Sequence, residues 1–400
     1  MARTDRTQTP LGAGTGATGA MPGELGVEER ELTIEQRQTA GLSQGAIIRR
    51  RFFRHRAAMI ALAVLIILIV FSFSSVGTVI GGTGRLAVNA EGILAPNGWR
   101  VPGWWDKDWY TTYGQLNPGG APTWVLPFNF GEFPFGQDTL GKDIFARVMR
   151  GMQQSLTVMF IVGIVSTVFG IVIGAVSGFF RGWVDSILMR FTDVVIIVPI
   201  IVLGAILGRI FGGNAIVLGL FLGIISWPGM ARLVRGEFLG LREREFVDAA
   251  RVAGASSTRI IFKHILPNAV GVIIVNATLL MSAAILIETS LSYLGFGIQA
   301  PDVSLGQIIS EYKEAFRTRP WLFWWPGLFI VVIALCINFV GDGLRDAFDP
   351  RQKRIPRRNR RRFFGLGRTS IAGGTGTAVG TSITDKPVAD PVTRPKKDTQ

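Results

Sequence analysis

Six apolar runs, at residues 57–80, 156–180, 191–211, 215–233, 270–291 and 321–340, constrain this chain more than any other feature of it. Each is near the ~20 residues an α-helix needs to cross a hydrocarbon core. A bilayer offers no water to unpaired backbone N–H and C=O groups, so such spans must be helical. The expectation is an all-α integral membrane protein with six transmembrane helices. The first run does not read as a cleaved signal peptide, because 56 residues precede it and its apolar stretch exceeds the usual ~7–15 residues.

Charge gives the expected orientation. The net charge is +14, with five arginines in 49–56 and eight basic residues in 351–362. Both blocks adjoin an apolar run, which reads as a topology signal and a contact for membrane lipid rather than for nucleic acid. An even number of spans puts both termini on one side, and the positive-inside rule makes that side the cytoplasm. Residues 232–264 agree, with seven Lys and Arg against four acids, whereas 81–155 hold six of each. Trp183 and Trp227 fall at expected inner ends, and Trp321, Trp324 and Trp325 at an outer end. One cysteine, Cys336, and two histidines, His55 and His264, exclude a disulfide framework and a His- or Cys-rich metal site.

The organisation follows from these runs. Residues 1–45 and 346–400 read as disordered cytoplasmic tails, the second basic. Between them lie a first span with its basic flank (46–80), an extracytoplasmic Trp-rich segment (81–152) and a five-helix membrane domain (153–345). The Trp-rich segment suits either an insertion over a pore mouth or a compact cap on the membrane surface. Gly170, Gly174 and Gly178 recur on one helical face, as do Gly219 and Gly223, which predicts close helix packing.

The most informative polar stretch runs from Glu245 through Val247, Asp248, Ala249, Ala250, Arg251, Ala253 and Gly254 to His264, Ile265, Leu266 and Pro267. It reads as two short amphipathic helices broken by a glycine. Ala249, Ala250 and Ala253 make a narrow face that a partner's groove accepts. Gly254 suits the left-handed residue that closes a helix, and Pro267 marks a bend before the fifth span. Asp248 has two open readings, a carboxylate offered to a partner's cation or an intrahelical pair with Arg244 or Arg251.

This stretch resembles the EAA loop of ATP-binding-cassette importer permeases. Asp248, Ala249 and Ala250 stand for E-A-A and Gly254 for its glycine, while His264, Ile265, Leu266 and Pro267 stand for I-x-L-P. Asp248 keeps the charge of the usual Glu on a shorter side chain. Two further stretches narrow the resemblance to the C-type subunit of dipeptide, oligopeptide and nickel permeases. One is Phe135-Gly136-Gln137-Asp138-Thr139-Leu140-Gly141-Lys142-Asp143, continuing to Arg147. The other is Gly341-Asp342-Gly343-Leu344-Arg345-Asp346-Ala347-Phe348-Asp349-Pro350. The segment from Glu288 to Gly297 is similar to the outer end of that family's fifth span.

The resemblance implies a type I importer permease in a bacterial plasma membrane, with residues 153–345 as its permease domain. It implies a second, homologous permease subunit enclosing one pathway, cytoplasmic ATPase subunits and an extracytoplasmic substrate-binding protein. Glu245, Asp248, Ala249, Ala250, Gly254, His264, Leu266 and Pro267 would belong to the loop that docks on an ATPase. This chain has no G-x-x-x-x-G-K-[ST] phosphate loop, so ATP and Mg are expected on partner subunits, with no cofactor on this chain and no catalysis by it. Nickel, glutathione and oligosaccharide systems use similar subunits, so the solute is less tightly implied than the class.

Charges inside spans are costly and often functional. Glu288, with Ser290, Ser292 and Tyr293 around it, either lines an outer gate or pathway or holds the outer loop by buried hydrogen bonds. Asn276 and Asn338 read as interhelical hydrogen-bond formers, and Asp193 and Arg209 lie near enough to helix ends to snorkel. A membrane-embedded enzyme would need a second ionisable group beside Glu288. A secondary transporter would have no need of the 248–267 loop.

Overall fold

The computed structural model describes residues 44–80, 86–88, 94–96, 99–123, 131–211, 213–300 and 302–348. The tails expected at 1–45 and 346–400 fall almost wholly outside these residues, as do Trp124, Asp349 and Pro350. Helix α1 (Gln44–Arg54) stops at His55, whose Nδ1 accepts from the Ala58 N–H at 3.1 Å and so starts α2 (Arg56–Ser75). The first span was expected to reach 80. It ends earlier because Gly77 turns the chain with φ +69°, after which β1 (Thr78–Ile80) pairs antiparallel with β4 (Trp99–Val101). Strands β2 (Leu86–Val88) and β3 (Leu94–Pro96) form a second small ladder. Between residues 78 and 101 the chain is thus partly β, a departure from the all-helical expectation that, among the described residues, is limited to these short strands.

Helix α3 (Ile144–Phe180) has 37 residues. At 1.5 Å per residue it is about 55 Å long, well beyond a ~30 Å hydrocarbon core. It begins before the expected 156, so the boundary expected at 152 falls inside it. The cause is Asp143, whose carboxylate accepts from the Phe145 and Ala146 N–H groups at 3.0 and 3.3 Å and caps the helix early.

The third and fourth expected spans are both broken. Helices α4 (Gly182–Ile197) and α5 (Ile200–Phe211) meet at 77°, and α6 (Ala215–Ser226) and α7 (Pro228–Arg242) at 44°. A proline sits at each break and withholds a backbone donor. Val198, before Pro199, is extended with ψ 120°, whereas Trp227, before Pro228, stays helical with ψ −23°. That difference accounts for the sharper first bend. After α8 (Glu245–Val252) and the single turn α9 (Ser257–Arg259), a π-helical stretch Ile260–Ile265 leads into α10 (Leu266–Tyr293). Helices α11 (Leu305–Tyr312) and α12 (Trp321–Phe348) complete the order. Among the described residues four helices cross a membrane by length and composition, or up to six spans if each bent pair is one.

Both glycine faces pack as expected. A Cβ on Gly174 would meet the Val234 Cβ at 2.8 Å, and one on Gly178 the Phe238 Cβ at 2.7 Å, so α7 lies directly on α3. Gly223 of α6 stands equally close to Val165 of α3. Three buried apolar clusters follow α3 along its length. One surrounds Phe145, Met149 and Leu305 at its start, one Val158, Leu222 and Leu291 in the middle, and one Phe179, Phe238 and Val247 at its end. Cys336 is a free buried thiol in the first cluster.

Candidate functional site

The stretch 243–267 forms one platform at the end of α3. Arg242 closes α7 by donating to the Phe179 carbonyl of α3 and lying over the Phe179 ring. Glu245 and Asp248 occupy the first turn of α8 and Arg251 its last, the arrangement that complements the helix dipole. Val247 is fully buried among Phe179, Phe238, Ile260 and Ile265 and fixes α8 against the bundle. Gly254 takes φ +77°. Its N–H donates to the Arg251 carbonyl at 2.9 Å, and the Ala255 N–H to the Ala250 carbonyl at 3.0 Å. These two bonds are the Schellman closure that only glycine makes without strain.

The π stretch absorbs the approach to Pro267. The Leu266 N–H reaches back to the Ile261 carbonyl, one residue farther than in an α-helix. The Asn268 side chain donates to the His264 carbonyl at 2.6 Å. His264 and Leu266 are half-buried here, and Pro267 is exposed.

The outward face of the platform is apolar. Val252 is 91% exposed, Phe262 64% and Phe246 40%. Ala249, Ala253 and Gly254 are exposed beside them, while Ala250 is half-buried and packs on the inner cluster. The alanine face expected from spacing is therefore split, and Val252 and Phe262, which the sequence reading passed over, complete it. Asp248 bonds Arg251 at 2.9 Å; its link to Arg244 is through backbone only.

Glu288 lies near the opposite end of α3 and is fully buried. Its carboxylate accepts from the Ser155 hydroxyl at 2.8 Å and the Ser292 hydroxyl at 2.7 Å. Both of these hydrogen bonds stay inside this chain, as the structural reading of Glu288 expects. Ser290 bonds the Leu286 carbonyl of its own helix, and Tyr293 is partly exposed under Lys313.

A larger polar network at this end was not read from the sequence. Asp138 accepts from the Tyr312 hydroxyl at 2.8 Å, and Arg147 donates to Tyr312 at 2.8 Å and to Glu311 at 2.5 Å. Arg150 makes a two-pronged bond to Asp302 at 2.7 and 2.9 Å, over the face of Trp109. Asp143 accepts from the Trp105 indole at 2.6 Å, and burial pushes its carboxyl up to about 6. Burial likewise raises the Tyr312 hydroxyl. The signal was present: Asp143, Arg147, Arg150 and Gln154 recur at intervals of three and four residues, one face of a helix. Asp193, near the end of α4, pairs with Arg232 at 2.5 Å.

Among the described residues no three His, Cys, Asp or Glu side chains group as a metal site. Comparison with known proteins completes the picture. The profile of the binding-protein-dependent transport system inner membrane component matches residues 170–354, and that of the N-terminal TM domain of oligopeptide transport permease C matches 43–78. The chain is 37% identical over 317 residues to the oligopeptide transport system permease protein OppC of Mycobacterium tuberculosis, covering 79% of this chain and 97% of that one. It is 35% identical over 326 residues to OppC of Escherichia coli K12, covering 82% and 97%. Among solved structures it is similar to the inward-facing MetNI methionine ABC transporter, at 21% identity and TM-score 0.43 over 52% of this chain and 98% of that one. Matched at both its first span and its C-terminal helices, and along nearly the whole length of these relatives, the chain belongs to the oligopeptide permease C family of transport-system inner membrane components.

Proposed function

We propose that this chain is the membrane permease subunit of an ATP-binding-cassette importer that takes up di- and oligopeptides. It forms half of the pathway with a second, homologous permease. The 243–267 platform docks on a cytoplasmic ATPase subunit, which binds the ATP and Mg that this chain does not. A substrate-binding protein delivers solute to the opposite, Trp-rich end, and both termini are cytoplasmic. The exposed arginines of α1 face anionic lipid at the inner leaflet.

The observation that carries this reading is the platform: a short helix fixed from below by Val247, closed by Gly254, and presenting Val252 and Phe262 to solvent. Apolar side chains so exposed beyond the bundle's end are what a partner's groove covers. Peptide as the solute is supported by the names of the relatives. The test is reconstitution of the complete complex in vesicles with radiolabelled peptide outside. Uptake should need ATP, both permeases and the binding protein, and this chain alone should hydrolyse no ATP. Uptake by this chain alone, or intrinsic hydrolysis after removal of every ATPase, would overturn the assignment.

A further inference from the structure

Helix α7 runs straight into the α8 platform and is seated on the glycine face of α3. Helix α4 is held quite differently. Thr192 is its one buried residue, while Trp183, Ile187 and Val194 are 74%, 59% and 61% exposed. Beyond the stack of Phe191 on Trp227, with ring centroids 5.8 Å apart, apolar packing therefore does little to fix α4 on the bundle within this chain. Three ion pairs link it to α7 and its C-terminal end as well. Arg181 meets Glu243 at 2.7 Å, Asp185 meets Arg235 at 2.6 and 2.7 Å, and Asp193 meets Arg232 at 2.5 Å.

The order of these pairs is antiparallel, and it stops at the two proline bends. Beyond Asp193, α4 ends at the 77° turn into α5; just before Arg232, α7 begins at the 44° turn from α6. The outer two pairs are well exposed on both sides, and such pairs contribute little. The middle one is a two-pronged guanidinium–carboxylate bond, less exposed, with the Ser177 hydroxyl of α3 added to Asp185.

We propose that these pairs are a transmission ladder, with Asp185–Arg235 its principal rung, through which displacement of the α8 platform moves α4 and changes the bend into α5. The inference rests on the reading of α8 as a docking helix. Asp185 and Arg235 are positioning residues that touch neither nucleotide nor solute. The ladder makes α4 and α7 one lever, and the bends at Pro199 and Pro228 are where that lever flexes.

The test uses the complete reconstituted importer. Asp185→Arg and Arg235→Asp should each keep the ATPase subunits bound and leave unstimulated hydrolysis unchanged, while uptake falls roughly two- to thirtyfold. The double swap should restore uptake to within about twofold. Full uptake in both single variants, or no rescue in an assembled double variant, overturns the ladder. Spin labels at Arg190→Cys and Gly236→Cys give a second measurement that does not depend on transport. Their separation should stay fixed between nucleotide-free and ATP-bound complexes and broaden in Asp185→Asn. A separation that changes with ATP in the otherwise unaltered chain overturns the lever. Failure of the importer reading itself would show separately, as uptake by the unsubstituted complex that ignores ATP.

Discussion

Val247 and Val252 stand roughly 140° apart around α8, the first completely buried against Phe238 and Ile265 and the second 91% exposed. One helix thus has a face committed to its own bundle and a face left for something else.

Val252→Glu should therefore separate docking from folding. It changes an exposed side chain, so stability should move by less than ~0.5 kcal/mol. A packed apolar anchor lost from an interface costs ~2 kcal/mol or more, and docking should weaken more than tenfold. Substrate-stimulated ATP hydrolysis by the reconstituted complex is the measurement; normal stimulation in Val252→Glu and Ala249→Glu together would put the interface elsewhere. Ala250→Glu is the poorer probe, because it forces a charge toward the inner cluster and unfolds as well as uncouples.

Asp248→Asn asks whether that carboxylate is used across the interface. In the free chain its partner is Arg251, an exposed pair at 2.9 Å worth at most ~0.5 kcal/mol. The melting temperature should hold. Stimulated hydrolysis should fall if the carboxylate meets a partner's cation and should hold if Arg251 is its whole purpose.

Topology is testable with single cysteines against the buried Cys336. Leu116→Cys, at a position 54% exposed, should react with an impermeant thiol reagent in intact cells, and Ser186→Cys and Ser256→Cys only after permeabilisation. Gly120 is a poor site for the outer label, since it is buried with φ +73°. Labelling of Ser256→Cys from outside would reverse the orientation.

Asp302→Asn tests the network at the start of α3. It leaves the Arg150 guanidinium buried without its two-pronged partner, and breaking such a pair typically costs about 3–5 kcal/mol. The thermal unfolding midpoint in detergent should drop well below that of Glu311→Gln, whose carboxylate is partly in solvent. Equal midpoints would show that the Arg150–Asp302 pair contributes nothing beyond an exposed one.

Asp143 gives a pH dependence of unusual sign. Its carboxyl is raised from 3.8 to about 6 by burial, against the opposing pull of the Trp105 and backbone bonds and of Lys107. The folded chain then binds the proton more tightly than the unfolded one, so stability from this group rises as pH falls from about 6 to 4, by at most about 3 kcal/mol. The difference in unfolding midpoint between the unaltered chain and Asp143→Asn should shift in favour of the unaltered chain across that window. A flat difference would mean the carboxyl titrates normally.

The helices and the 245–254 helix with its glycine stop were legible because their signals are local. Apolar length marks a span, and a glycine after a short amphipathic run marks a helix end, as Gly254 turned out to be. The bends were half legible: Pro199 and Pro228 are plain in the sequence, but their angles depend on the backbone of Val198 and Trp227. The polar network at 138–154 was not read because its partners, Asp302, Glu311 and Tyr312, lie some 150 residues away. Without those partners, nothing in the sequence ties Arg147 and Arg150 to one network. Ala250 was placed on the partner's face because a three-alanine stripe does not say which edge the bundle covers; Val247 decides that.

The length of α3 has a mechanical consequence. One unbroken rod of about 55 Å carries Asp143, bonded to Trp105, at one tip and Phe179, under the platform, at the other. Tilting a rigid rod about its middle displaces both tips at once, in opposite directions. A load applied beside Asp143 and a load applied at the 243–267 platform would then turn the same spar, with no chain of side-chain rearrangements needed between them.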